Sequence, residues 1–231
     1  MGRTGSIQPS ATRIQRRPAW FQAGVSFLCL ALAGPWAVAA DATATVMKVV
    51  GQAQVVDKEK KRAELAEGMS LVEGATVITG TNAIVYLDFG KHDHALAVTP
   101  GSEVVIEKLE IRTSGDLSGF NTQIKVRKGS SVAYAGKLEP VSLYALVSAK
   151  GVAGLREGTG GRVSAEGVLD CAEGSLVVLA PCALSIKKGE SIDASRSLAA
   201  FQKVNAQDLK AIDQLIRELK ALQRAARKKD R

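Results

Sequence analysis

Aromatic side chains are scarce, at 4% of 231 residues. A core must therefore come from Val, Leu, Ile and Ala, and the chain lacks the basic-aromatic interleaving of nucleic-acid-binding surfaces. Histidine occurs only at His92 and His94. With Asp93 between them they fall short of the three or four ligands a metal site takes. A solvated turn is the simpler reading, and no metal is expected. The chain also has no Gly-x-Ser-x-Gly elbow, Walker loop or His-Glu-x-x-His pair. No cofactor and no enzymatic activity are expected.

Acidic residues are missing from the first forty positions, which hold Arg3, Arg13, Arg16 and Arg17. From Lys203 onward nine basic residues face four acidic ones, so most of the formal charge of +8 sits at the two ends. The body between is near neutral, which argues against a nucleic-acid partner.

The basic start precedes an apolar run from Phe21 to Ala33, broken by Pro35. Ala37-Val38-Ala39 and Val38-Ala39-Ala40 then satisfy the small-x-small cleavage pattern. Residues 1–40 read as a secretory signal peptide, which implies export to the periplasm. The run is shorter than the roughly 20 apolar residues a span needs, so no stable membrane span is expected after cleavage. Leu28 before Cys29 argues against lipoprotein acylation.

What the chain has in abundance is regularly placed glycine. Leu65, Leu71, Val77 and Ala83 stand six residues apart, with Gly68, Gly74 and Gly80 midway between them. Glycines at this spacing would ruin a helix, each costing about 1 kcal/mol against alanine. Short β segments with glycine turns or bulges at positive φ fit instead. Related units recur around Gly101, Gly129, Gly174 and Gly189, while Gly51 and Gly90 punctuate other strands. Recurrence suggests a stacked unit. The expected fold is all-β, a solenoid-like or rolled stack of short Gly-punctuated strands, closed by a C-terminal amphipathic helix.

Along the body, Val46 to Val50 and Ala53 to Val56 read as strands. Ile84 to Phe89 is another, with Ile84, Tyr86 and Asp88 on one face. Thr113 to Asn121 is a loop by composition, as is the glycine-rich stretch Lys150 to Gly161. Val141 to Ser148 reads as a strand covered on both faces.

The spacing L-x-x-G-x-x-L-x-x-G-x-x-V-x-T-G resembles the FecR domain. The residues concerned are Gly51, Leu65, Gly68, Leu71, Gly74, Val77, Thr79 and Gly80, followed by Phe89, Gly90, Pro100 and Ser102. Downstream, Arg156, Gly158 and Thr159 stand where that family shows Arg-Gly-Thr, with Glu157 inserted. The resemblance covers residues 44–193. It implies a non-enzymatic, solenoid-like or rolled β domain of the cell envelope, and the function expected of it is an interaction module whose sheet edges and faces recognise a protein or glycan partner. It also implies an alternative, a signalling subunit relaying an envelope signal to a sigma factor. That role needs a cytoplasmic segment and a retained span.

After cleavage Cys171 and Cys182 are the remaining cysteines. An even count in an oxidising compartment favours a disulfide, although two small core residues would also account for them. Residues 198–231 change period. Asn205 is placed to cap a helix, and Leu209, Ile212, Ile216 and Leu219 follow at spacings of three and four. Arg224, Arg227, Lys228 and Lys229 gather near its end. Three roles are open: docking on the β body to close an open end of the stack, self-association or partner binding as a coiled coil, or contact with an anionic membrane surface. Docking is the favoured one.

Overall fold

The computed structural model describes residues 42–90, 94–114, 116–180, 183–196 and 201–229. Among these residues eighteen strands form two open nine-stranded sheets, and one helix follows them. Sheet I holds β1 (Ala44–Val50), β4 (Ser70–Leu71), β6 (Ile84–Asp88), β7 (His94–Val98) and β10 (Ser130–Ala135). It continues through β13 (Thr159–Ser164), β14 (Val168–Glu173), β17 (Glu190–Asp193) and β18 (Gln202–Lys203). Sheet II holds β2 (Ala53–Val56), β3 (Arg62–Glu64), β5 (Thr76–Thr79), β8 (Glu103–Ser114) and β9 (Leu117–Lys128). Beyond these lie β11 (Leu143–Val147), β12 (Val152–Leu155), β15 (Ser175–Ala180) and β16 (Leu184–Lys187).

The chain shuttles between the sheets while each grows mainly in one direction. Sheet I runs β4-β1-β6-β7-β10-β13-β14-β17-β18, and sheet II runs β3-β2-β5-β8-β9-β11-β12-β15-β16. Pairing is antiparallel except between β9 and β11. Glycine explains how short strands change sheets. Gly51, Gly68, Gly74, Gly101, Gly129, Gly158, Gly174 and Gly189 all have positive φ and stand at crossings from one sheet to the other. The six-residue period now has a cause. Leu71 on β4 and Val77 on β5 point into one core from opposite sheets, and Leu65 and Ala83 are buried at the flanking crossings.

Gly80 is an exception to the expected pattern. Its φ is not positive, and its requirement is steric, because a Cβ there would lie 3.1 Å from the Gln52 carbonyl oxygen. Two further expectations are corrected. Residues 113–114 and 117–121 belong to the long β8–β9 hairpin, and residues 150–161 carry β12 and the start of β13.

The core between the sheets is aliphatic, drawing Val46, Leu87, Leu96 and Val163 from one side and Val77, Ile106, Ile124, Leu146 and Val178 from the other. Helix α1 (Ala206–Lys229) begins where Asn205 Oδ1 accepts the Gln207 N–H at 3.0 Å. It lies on the other face of sheet I, packing on β1, β7, β10, β13 and β14. Ile212, Ile216 and Leu219 are buried there against Tyr86, Ala95, Ala97, Val132 and Ala172, with Leu209 partly buried beside them. The receiving strands are lined with small residues, and a Cβ on Gly160 would lie 2.5 Å from Ile216 Cδ1. Burial of each of these aliphatic side chains contributes about 1.5–3 kcal/mol. The layers are therefore sheet II, sheet I and helix.

Candidate functional site

The motif residues converge at the corners where the chain changes sheet. Thr79 ends β5, and its Oγ1 donates to the Thr99 carbonyl at 2.7 Å while accepting the Ser102 N–H at 2.9 Å. Ser102 Oγ donates to the Ser130 carbonyl at 2.9 Å and accepts the Ser130 N–H at 3.0 Å. Thr99 Oγ1 also reaches the Ser130 carbonyl, at 2.7 Å. Three successive corners are thus tied by hydroxyls, with Pro100 and Gly101 shaping the middle one. Gly101 N–H donates to the Gly80 carbonyl at 2.9 Å.

A second corner repeats the device. Thr159 Oγ1 donates to the Ser175 carbonyl at 3.0 Å, and a Cβ on Gly174 would lie 2.7 Å from the Gly158 carbonyl oxygen. Arg156 is exposed and opens the preceding turn, its carbonyl accepting the Thr159 N–H at 3.1 Å across Glu157 and Gly158. Backbone groups that leave a ladder need new partners when buried, and these hydroxyls supply them. The hydroxyl and glycine positions of the motif hold the fold.

The helix seam carries polar fastenings that sequence reasoning missed. Arg162 bridges Asp170 at 2.6 Å and Asp208 at 3.3 Å, joining sheet I to the first turn of α1. Lys220 Nζ donates to Glu173 at 2.6 and 2.7 Å and lies 4.3 Å from the centre of the Tyr134 ring. The Tyr86 hydroxyl donates to Glu218. Burial, aided by that carboxylate, pushes the phenol well above its usual range, while the bond holds Glu218 below the usual range. Gln223 donates to Asp88 at 2.8 Å. Burial raises the Asp88 carboxyl, against the opposing pull of Gln223 and Arg227. The shared face of Ile84, Tyr86 and Asp88 was the one available signal, and it is the face turned to the helix.

The outer side of sheet II is different. On β15, Leu176 and Val178 enter the core, so Val177 and Leu179 face away, and Leu179 is 46% exposed. On β8 and β9 the outward positions form cross-strand ion pairs, Lys125 with Glu107 at 2.7 Å and Arg127 with Glu103 at 3.4 Å. Among the described residues no helix covers this face.

His94 departs from the solvated turn expected of it. It opens β7, is fully buried and stacks on Tyr144 with ring centres 5.0 Å apart. His92 and Asp93 lie outside the described residues. Among the described residues no group of three or more His, Cys, Asp or Glu could hold a metal ion. Cys171, expected in a bridge, is a buried free thiol here, its Sγ 3.6 Å from the Gly174 carbonyl oxygen. Its expected partner Cys182 lies outside the described residues, as does the proposed leader, residues 1–40. No described helix is long and apolar enough to cross a membrane.

Fold and surfaces together define a two-sheet β protein with one face sealed by a helix and the other uncovered by any helix among the described residues. No family model, curated protein or solved structure matches this chain.

Proposed function

We propose that this chain is a FecR-like, non-enzymatic interaction module of the cell envelope, exported to the periplasm, where it binds a protein or glycan partner. The progressive winding of the chain between two sheets is read as a flattened, solenoid-like roll. The observation that carries the functional reading is the asymmetry of the two outer faces. Sheet I is covered by α1 through an apolar stripe and four polar fastenings, whereas sheet II presents Val177 and exposed Leu179 on β15 and, across β12 and β11, a ladder of paired charges on β9 and β8. Exposed apolar side chains sharing a face with paired charges suit a recognition surface.

The resemblance to FecR domains supports the reading in a second way. Thr79, Pro100, Ser102 and Thr159 sit at the corners, three of them through their hydroxyls, so the motif describes a scaffold. The test is co-purification from a periplasmic fraction with wild-type protein and with Leu179→Lys. A partner held by the wild type and lost with the variant, at unchanged melting temperature, is the expected result. Retention of the same partner by Leu179→Lys would move the binding surface off sheet II.

A further inference from the structure

Docking takes up one side of α1 and leaves the other to solvent. At about 3.6 residues per turn, Lys210 and Lys228 stand five full turns apart and share one angular position on the helix. Gln214, Arg217, Ala221 and Arg224 fall within about 40° of the line joining them. All of these residues are exposed, and the line lies opposite Ile212, Ile216 and Leu219, which are buried against sheet I. The outermost line of α1 is thus a row of cations, Lys210, Arg217, Arg224 and Lys228. At the helical rise the row is about 27 Å long.

No carboxylate lies on that line. The nearest acids of α1 are Asp213, half-buried at its flank, and Glu218, which already accepts from Tyr86. The described ion pairs of α1 use Asp208 and Lys220. The four cations of the row join none among the described residues. Helix stability does not ask for such a row. Arg224 and Lys228, four apart, repel one another. Lys210 stands near the start of α1, the end whose dipole disfavours a cation. An outer face built for stability alone would carry acid–base pairs at a spacing of four. Large apolar side chains are missing from the row as well, so it offers charge without a group to insert.

We propose that this row rests on the anionic headgroups of a phospholipid bilayer. A straight line of like charges on a docked helix matches a plane of anions, and each cation held near such a surface adds to the attraction. The apolar stripe of α1 is occupied by sheet I, so the contact is electrostatic and reversible. A nucleic-acid duplex fits less well, because neighbouring elements of a near-neutral body add no further basic or aromatic contacts. The layers run sheet II, sheet I and helix, so α1 on a bilayer turns the outer face of sheet II away from it. Lipid contact on one side and a partner on the other are then compatible, and neither requires the other.

The test is co-sedimentation of purified protein with phosphatidylcholine vesicles, with and without phosphatidylglycerol, over a range of ionic strength. Binding is expected only with phosphatidylglycerol and should fall as salt rises. Arg217→Gln and Arg224→Gln should each weaken it about fivefold, and the double variant about 25-fold. The double lysine variant, Arg217→Lys with Arg224→Lys, keeps the charge and should keep the binding. Lys187→Gln, which removes an exposed charge on β16, should bind like the wild type. Both arginines are exposed, so all of these variants should melt with the wild type. Absence of binding at low ionic strength, a glutamine double variant that binds like the wild type, a lysine double variant as weak as the glutamine one, or a Lys187→Gln loss equal to that of the arginine changes would overturn the proposal. Tighter binding to a DNA duplex than to the vesicles, dependent on the same arginines, would overturn it too and assign the row to nucleic acid.

Discussion

Single residues set the corners, and glycines at different corners are under different constraints. Gly129 has φ +70°, and a Cβ there would collide with Ser102, 2.9 Å from its Cα as well as against its hydroxyl. Gly68 has φ +80° but faces open space, while Gly80 has an ordinary φ and one backbone oxygen at 3.1 Å. Gly68→Ala should therefore cost about 1 kcal/mol of left-handed strain. Gly129→Ala adds overpacking of about 1–3 kcal/mol to a similar strain. Gly80→Ala should be the mildest. Denaturant melts of the three variants check the ranking, and a Gly80→Ala cost equal to that of Gly129→Ala would contradict it. At Cys171, burial pushes the thiol up from its usual range. It should resist alkylation in the native protein and label on unfolding without reductant; labelling that requires reductant would instead restore the bridge.

These residues also show what could be read in advance. The six-residue glycine period was legible because each crossing repeats one backbone demand in a chain poor in other signals. The stretch 150–161 misled because its glycines do not mark turns alone. Gly160 is small to admit Ile216, and Gly154 lies beneath Leu179, whose nearest side-chain atom would be 3.2 Å from a Cβ there. Both packing partners are far away in the chain, so no local pattern reveals them. Residues 113–121 misled for a related reason. The end of the β8–β9 hairpin runs past its neighbours in sheet II, with Leu117 exposed, and needs no alternating apolar residues.

At the scale of elements, the docked helix is the central feature. Its apolar stripe was visible from spacing alone, and the helix does dock on the β body, but across the outer face of sheet I and not over an open end, because the small residues of β7, β13 and β14 make room for it there. The fastenings were not visible, since Arg162–Asp208, Glu173–Lys220 and Asp88–Gln223 join positions distant in sequence. Removing residues 203–231 should uncover the apolar face of sheet I and lower the melting temperature of the monomer. A truncated body as stable as the full chain, with a change only in oligomeric state, would mean that the stripe serves an intermolecular partner instead. The seam also carries a pH dependence. Asp88 has a raised carboxyl in the fold, so its contribution is fully present below the unfolded value of 3.8 and is lost as pH rises through the folded value. Asn at this position can still accept from Gln223 without the burial cost of a charge. Asp88→Asn should thus melt higher than wild type at neutral pH, with the gap closing as pH falls towards 3.8. A gap that widens on acidification would contradict this assignment.

At the scale of the whole molecule, the helix gives the layered body two unlike sides. The face of sheet I that would otherwise be apolar and exposed is closed by the chain itself, while among the described residues no helix covers the outer face of sheet II. Its edge strands are short, four residues in β16 and three in β3, which limits strand-to-strand pairing as a route of association. The proposed recognition would then run through a side-chain surface on sheet II and not through strand addition.

The measurement that tests this most directly is photo-crosslinking in the native envelope, from a crosslinker at position 179 on sheet II and another at position 210 on the exposed side of α1. The account predicts a discrete partner adduct from position 179 and none from position 210. Adducts from position 210 alone, or no adduct from position 179, would contradict it.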